Sequence, residues 1–407
     1  MIELDKVFTL DALGLLLMGV YSCFLFALFF VLLKREKLNS LVVCILVMAS
    51  FLWPLFFFIV NEVVNFKSTP PDSVVYASII QDFGTYFNFY SFGVKGYSIL
   101  NFLQYQLCFK RPFVFVVFNI FYYQVAVLFI YKAFKTFLVY HNKMVDQRKF
   151  YAILVVLSSF YPITVIINAS ILRESMALMF LAIFSYLLIR YIVAQKGTML
   201  MALFVLTLVF VTRPLTGVCS VIALFLGYCY KNKLYSLKNF IWLAVIIVVV
   251  IFSIKTVVSN LYQLDFNMAW LISYRDASNA KFGTEGYSTM NWSGPFDYVK
   301  NVMFLVLQYL LSPLPILVSP TVTMNKLIPL IDSIYIIFVL ITPVLLFYKK
   351  YMKGWLLLFL VFLIIPALFE TNISGAYRHR ISAIVFLMPL VSYIFFNINL
   401  RSLYVRN

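Results

Sequence analysis

The chain has 407 residues, of which 64% are hydrophobic, and its formal net charge is +17. A soluble domain is roughly 45–50% apolar, so this composition excludes an ordinary soluble protein and indicates a polytopic membrane protein. The five cysteines show no metal-type spacing, and no glycine-rich phosphate loop or DxD pair is present, so we expect neither a metal nor a cofactor.

Apolar windows long enough to cross a bilayer recur along the chain, which predicts an all-α membrane protein of about eleven spans. The windows are residues 12–33, 41–60, 112–134, 150–168, 175–194, 198–212, 214–230, 239–258, 327–348, 355–369 and 381–398. Residues 198–230 are also compatible with one broken helix. We expect residues 1–407 to form a single integral membrane domain with two large outer loops, 61–111 and 259–326.

The basic residues assign an orientation to these spans. If the N-terminus is outside, the inner segments hold about 18 of the 32 lysines and arginines, against the two acids Glu36 and Asp146. This predicts an N-out, C-in topology, and the positive charge then gives no reason to expect nucleic-acid binding. Residues 302–318 are apolar but do not fit the alternation, because a span there would invert every later segment and place Arg378 inside. They also contain Pro313 and Pro315. We interpret them as a re-entrant or interfacial segment on the outer side, with a true span as the alternative.

Each outer loop has two interpretations. The first loop is rich in tyrosine and phenylalanine, which suits either stacking on sugars or an aromatic belt at the level of the lipid headgroups. The second loop mixes charged residues and tryptophans with glycines and a proline. Long loops of this kind serve either as lids and binding elements or as ordinary solvated connections.

Arginines lie at three predicted helix N-termini on the outer side, where the topology disfavours them: Arg173, Arg213, and the pair Arg378 and Arg380. A helix N-terminus already carries partial positive charge, so a fixed guanidinium there favours an anion as its partner. A pyrophosphate at the membrane surface would satisfy all three positions. The alternative for each arginine is a lipid headgroup or a carboxylate of an outer loop. In an extended segment Arg378 and Arg380 would point the same way, and in a helix nearly opposite ways.

Two titratable residues near Arg378 are candidates for moving a proton. His379 could be a general base, could donate to a phosphate, or could be only a structural hydrogen-bonding residue. Glu370 ends the preceding span and is the first candidate among the carboxylates that could deprotonate a sugar hydroxyl. The other outer carboxylates considered are Glu174, Asp82, Asp276 and Glu285.

Three short motifs at these positions resemble a known family. They are Leu172-Arg173-Glu174, Thr212-Arg213-Pro214 followed by Gly217, and Asn372-Ile373-Ser374-Gly375-Ala376-Tyr377-Arg378-His379-Arg380. They are similar to the LRD/LRE, RP and N-x-G-x-x-R-x-R elements of Wzy-type O-antigen polymerases and of EpsG-like polysaccharide polymerases. Two departures from that pattern are Glu174, where aspartate is more usual, and the approximate spacing between Asn372 and Gly375.

The resemblance implies a GT-C-like, metal-independent glycosyltransferase of the bacterial inner membrane, with its active site facing the periplasm. Such an enzyme moves a growing glycan from one undecaprenyl pyrophosphate carrier onto a second lipid-linked repeat unit, and so builds the O-antigen of lipopolysaccharide or a related surface polysaccharide. Its partners would be the donor and acceptor lipids, membrane lipid and a chain-length regulator protein.

The resemblance also implies roles for individual residues. Arg173, Arg213, Arg378 and Arg380, together with Tyr377, would bind the donor and stabilise the departing pyrophosphate, and Glu370 or His379 would activate the acceptor hydroxyl. Three alternatives stay open: a lipid-linked-oligosaccharide flippase, although no two related halves are visible; another GT-C glycosyltransferase or an O-antigen ligase; and a structural or receptor-like membrane protein.

Overall fold

The computed structural model describes residues 11–64, 71–81, 92–143, 145–193, 198–231, 273, 275, 295–312, 314, 324–346 and 349–404. Helices are the regular elements in these ranges. The predicted span 239–258 lies outside the described residues, as do three of the candidate carboxylates, Asp82, Asp276 and Glu285.

The helices of the described ranges are numbered here in chain order. They are α1 (Ala12–Arg35), α2 (Leu41–Val64), α3 (Pro71–Gln81), α4 (Phe92–Leu107), α5 (Phe115–Tyr140), α6 (Gln147–Ser159), α7 (Pro162–Asn168), α8 (Glu174–Ile192), α9 (Thr198–Thr212), α10 (Pro214–Lys231), α11 (Pro295–Leu311), α12 (Met324–Leu346), α13 (Lys353–Phe369), α14 (Ile373–His379) and α15 (Ile381–Tyr404).

The lengths and hydropathy of these helices fit an all-helical, multi-pass membrane protein. Within the described ranges, α1, α2, α5 with its preceding turn, α8 and α10 are each long and apolar enough to cross a bilayer. Two bent pairs, α6 with α7 and α14 with α15, raise the number of candidate spans from five to as many as seven. Residues 198–212 and 355–369, two of the other predicted spans, fall in shorter apolar helices. The predicted number of about eleven spans is therefore not confirmed.

Helix ends fall where the sequence chemistry favours them. Asp11 caps the start of α1 by accepting a hydrogen bond from the backbone N–H of Gly14 at 2.8 Å. In the same way, the side chain of Asn372 caps α14 by accepting from the backbone N–H of Gly375. Pro162 and Pro214 each occupy the first turn of a helix, where a missing N–H costs nothing. Arg213 thus separates α9 from α10, so residues 198–230 form two helices.

The core is centred on α5 and α8, which pack along each other. The most apolar window of α5 is 78% buried, whereas that of α1 is 17% buried, so α5 lies inside the bundle and α1 at its periphery. The buried Trp355 of α13 fastens this core to α15 by donating its indole N–H to the carbonyl oxygen of Phe386 at 2.7 Å.

The first part of the predicted re-entrant segment 302–318 belongs to α11, which packs against α12, α13 and α14. Residues 315–318 lie outside the described part of the chain. Whether this segment re-enters or spans therefore stays a prediction.

Candidate functional site

Several helix beginnings meet at one end of the bundle. The Nδ2 of Asn119, near the start of α5, donates to the carbonyl oxygen of Ser170, just before α8, at 2.6 Å. The hydroxyl of Ser73, in the first turn of α3, donates to the carbonyl oxygen of Ile171 at 3.0 Å. These two bonds place the starts of α3 and α5 beside the loop that carries Arg173.

A glycine allows α4 to approach this end closely. A Cβ atom on Gly93 would lie 2.8 Å from Arg173 Nη1 and 2.8 Å from Pro214 Cδ. Both distances are too short for ordinary contact, so the absent side chain leaves room for the Arg173 guanidinium and the start of α10 to lie side by side.

A buried carboxylate is surrounded by the predicted cations. Glu174 is 3% exposed and interacts electrostatically with Arg378, Arg213, His379 and Arg173. Three arginines that are far apart in sequence therefore share one site with one histidine. We call these five residues the arginine cluster. The adjacent Glu370 interacts electrostatically with both His379 and Arg213.

The three arginines of the cluster differ in their partners. Arg378 donates from Nη1 to Asp72 Oδ2 at 2.6 Å and from Nε to the carbonyl oxygen of Ser374 at 3.1 Å. The guanidinium groups of Arg173 and Arg213 make no hydrogen bond or close ion pair with other described residues, and the Nε of Arg173 is buried. Two cations thus retain donors that an anionic ligand could use.

The charge on Arg213 persists despite its burial. Arg213 is 8% exposed, and burial lowers the pKa of its guanidinium, whereas the charge on Glu174 raises it. A guanidinium stays protonated in proteins even after such a shift. A buried cation with no hydrogen-bonding partner in the described ranges is costly unless something else solvates or binds it.

Glu370 and His379 form a hydrogen-bonded pair at the edge of the cluster. His379 Nδ1 lies 2.5 Å from Glu370 Oε2, and His379 Nε2 lies 3.8 Å from Glu174 Oε1. An ionised carboxylate can only accept, so Nδ1 is the donor and the neutral ring keeps its lone pair on Nε2. The pair therefore has the geometry of a general base held in one tautomer by a carboxylate.

The backbone holds Glu370 in this orientation. Its Oε1 accepts from the N–H groups of Thr371 and Asn372 at 3.1 and 3.3 Å. Burial alone would raise the pKa of the Glu370 carboxyl, but His379 and these two N–H groups hold that pKa below its usual value. Arg275, a residue of the predicted outer loop, donates from Nη1 to the carbonyl oxygens of Leu368 and Glu370, both at 2.8 Å.

Gly375 provides the space for the Glu370 carboxylate, because a Cβ atom there would lie 2.3 Å from Oε1. We expect Gly375→Ala to displace Glu370 from His379 and to destabilise the protein by about 1–3 kcal/mol, the usual cost of overpacking. Heating followed by size-exclusion chromatography of the purified variant measures this effect. Unchanged heat resistance together with unchanged function would contradict the packing described here.

Arg380, predicted to bind substrate, lies away from the cluster. Residues 373–379 are helical, so the side chains at positions 378 and 380 leave the backbone in nearly opposite directions. Arg380 is 0% exposed and forms an ion pair with Asp332, which is equally buried. Tyr377 is half-buried, with its hydroxyl 3.4 Å from Ser374 Oγ. The structure thus brings Arg173, Arg213 and Arg378 together but leaves Arg380 outside.

Several residues near the arginine cluster were not predicted from the sequence to have a role. Tyr76 of α3 is an electrostatic neighbour of Arg173 and Arg378, and Asp72 of the same helix is one of Arg378. Tyr309 of α11 is an electrostatic neighbour of Arg213. A single acid within an apolar run marks Asp332, and that signal was available in the sequence. No comparable signal distinguishes Asp72 or the two tyrosines.

No family model, no curated protein and no solved structure matches this chain. Within the described ranges, no group of three or more histidine, cysteine, aspartate or glutamate side chains is placed to hold a metal ion.

Proposed function

We propose that this protein is a membrane glycosyltransferase that polymerises undecaprenyl-pyrophosphate-linked repeat units into O-antigen or a related surface polysaccharide at the periplasmic face of the bacterial inner membrane. The observation that carries the proposal is the meeting of Arg173, Arg213 and Arg378 around Glu174, next to the Glu370–His379 pair. A site with several fixed cations and an oriented base suits transfer from a diphosphate leaving group.

The donor pyrophosphate would lie against Arg173 and Arg213, whose guanidinium donors have no hydrogen-bonding partner among the described residues. Arg378 is ion-paired with Asp72, whose side chain is 49% exposed, so a more highly charged anion could displace that carboxylate. Negative charge grows on the pyrophosphate as it leaves. Guanidinium groups fixed in a poorly solvated site would stabilise that charge without needing to reorganise.

The acceptor hydroxyl would approach His379 Nε2. Its oxygen attacks the anomeric carbon of the donor glycan while the bond from that carbon to the phosphate oxygen breaks. The undecaprenyl pyrophosphate leaves with the bonding electrons, and the hydroxyl proton passes to Nε2. Glu370 and Glu174 lie on either side of the ring and would stabilise the imidazolium that forms.

The experiment that tests this function is the surface-polysaccharide profile of a strain that lacks the gene. A missing polymerase should leave lipid A–core that carries one repeat unit, and complementation should restore the ladder of longer chains. A missing flippase or ligase would instead leave the core with no repeat unit. That profile, or a full ladder in the deletion strain, would contradict the proposal.

A further inference from the structure

A fully buried ion pair begins one residue after the arginine cluster, because Arg380 follows His379 in the chain and pairs with Asp332. Arg380 and Asp332 are both 0% exposed, and the Nη2 of Arg380 donates to the Asp332 carboxylate. Desolvating two charges is costly, and apolar side chains of similar volume often stabilise a protein as well or better. Charged residues within membrane segments are therefore expected to have a specific role.

Asp332, a residue of α12, packs against the break between α6 and α7, whose axes differ in direction by 72°. It accepts from the hydroxyl of Tyr161 at 3.3 Å and from the backbone N–H of Ile163 at 3.4 Å. A helix that starts inside a bilayer has N–H groups with no intrahelical acceptor, and hydrocarbon offers none. Asp332 supplies an acceptor for one of them.

Arg380 performs the opposite task at the end of α11. Its Nη1 donates to the carbonyl oxygens of Leu310 and Ser312 at 2.5 and 2.7 Å, where the last turn of a helix leaves carbonyls unpaired. Arg380 itself lies at the 41° bend between α14 and α15. One ion pair thus contacts three places where helices end or bend: the break between α6 and α7, the end of α11, and the bend between α14 and α15.

We infer that the Arg380–Asp332 pair is a positioning device for His379. Arg380 follows His379 directly in the chain, and Ser382 Oγ donates to the carbonyl oxygen of His379 at 2.7 Å. The ion pair holds the Arg380 side chain in the protein interior, and this fixes the rotation of the helical turn before it. His379 and Arg378 then face Glu370 and Glu174. The effect of this positioning on catalysis rests on the proposed function, whereas the positioning of the His379 ring does not.

The test uses the reactivity of His379 as a readout that needs no substrate. The chain contains two histidines, so in a His141→Gln background His379 is the only one. Diethylpyrocarbonate modifies neutral imidazole, and the rate is followed on the purified full-length protein. Three variants are compared in that background: Asp332→Asn, Arg380→Met, and the apolar double variant Asp332→Leu/Arg380→Met, which removes both charges.

We expect all three variants to raise the modification rate of His379 several-fold, because the ring loses its fixed hydrogen bond to Glu370. Polymer formation should fall by about tenfold to a hundredfold, the cost of a misplacement near 1 Å. The double variant should resist heat better than either single variant, because no unpaired charge is left buried, although the groups that Asp332 and Arg380 bond lose their partners. It therefore separates positioning from folding even if the single variants are unstable.

Parental modification rate and parental polymer formation in the double variant would overturn the inference, since the pair would then only fill space. Reduced polymer formation with an unchanged modification rate would also overturn it. Faster modification without loss of polymer would support the positioning of His379 and contradict its role as the base. If the parent itself forms no polymer, the proposed function fails, and the modification rates still decide whether the pair positions His379.

Discussion

Replacing Arg213 with alanine is expected to reduce chain polymerisation by about 10²–10³-fold, the usual effect of removing one donor from a preorganised charge-stabilising site. Arg213 is buried and charged, and its guanidinium has no hydrogen-bonding partner among the described residues. Its loss would leave Glu174 with one cation fewer and the leaving pyrophosphate with less stabilisation. The measurement is the polysaccharide ladder of a deletion strain complemented with the variant, at matched protein abundance.

Arg111 offers a matched control for this substitution. It precedes α5 at the same end of the bundle, but it pairs with Asp11, and the two side chains are 27% and 44% exposed. An exposed ion pair of this kind contributes little to stability, so Arg111→Ala should leave a normal ladder. Equal ladders from Arg213→Ala and Arg111→Ala would contradict a special role for the cluster.

The lysine variant separates charge from geometry. Arg213→Lys keeps the positive charge but loses the planar fork that binds two phosphate oxygens at once. We expect a ladder of shorter chains than the parent gives, though longer than those of the alanine variant. A full ladder from Arg213→Lys would show that a point charge at this position suffices.

His379→Gln is expected to have the second large effect, a loss of about 10²–10⁴-fold in polymer formation, the range that general-base catalysis supplies. Glutamine retains the size and hydrogen bonding of the ring but cannot take up a proton. Glu370→Gln should have a smaller effect, because the histidine remains and only its orientation is weakened. In vitro transfer between two lipid-linked repeat units, measured with purified protein, would give both values.

His141→Gln is the control for this pair of variants, because His141 caps the far end of α5 and contacts aromatic rings there. It should retain parental activity. If Glu370→Gln is much less active than His379→Gln, the carboxylate rather than the imidazole is the base, and the roles proposed here would have to be exchanged.

The sequence was sufficient to predict the all-helical architecture, because apolar windows depend on local composition, but it did not predict α3 and α4, which lie within the predicted outer loop 61–111. It was also sufficient to predict the break at Arg213, since Pro214 favours the first turn of a helix. The number of spans was harder, because several apolar helices are short and two pairs are bent inside the bundle. Window length alone does not reveal such bends.

The site was predicted only in part, for a different reason. A charge pattern identified the arginines, but the partner of each depends on contacts between residues hundreds of positions apart, such as Asp72 with Arg378. The separation of Arg380 from the others follows from one local fact, the helical conformation of residues 373–379. The sequence left that conformation open, because Ser374 and Gly375 are compatible with an extended entry as well.

The central claim is that Arg173, Arg213 and Arg378 together bind a phosphorylated lipid. Binding of undecaprenyl pyrophosphate to the purified protein in detergent, followed by native mass spectrometry, tests it most directly. We predict saturable binding to the parent and to Arg111→Ala, weaker binding to undecaprenyl monophosphate, and loss of binding in Arg213→Ala and Arg173→Ala. Equal binding of undecaprenyl pyrophosphate by all four proteins would contradict the claim.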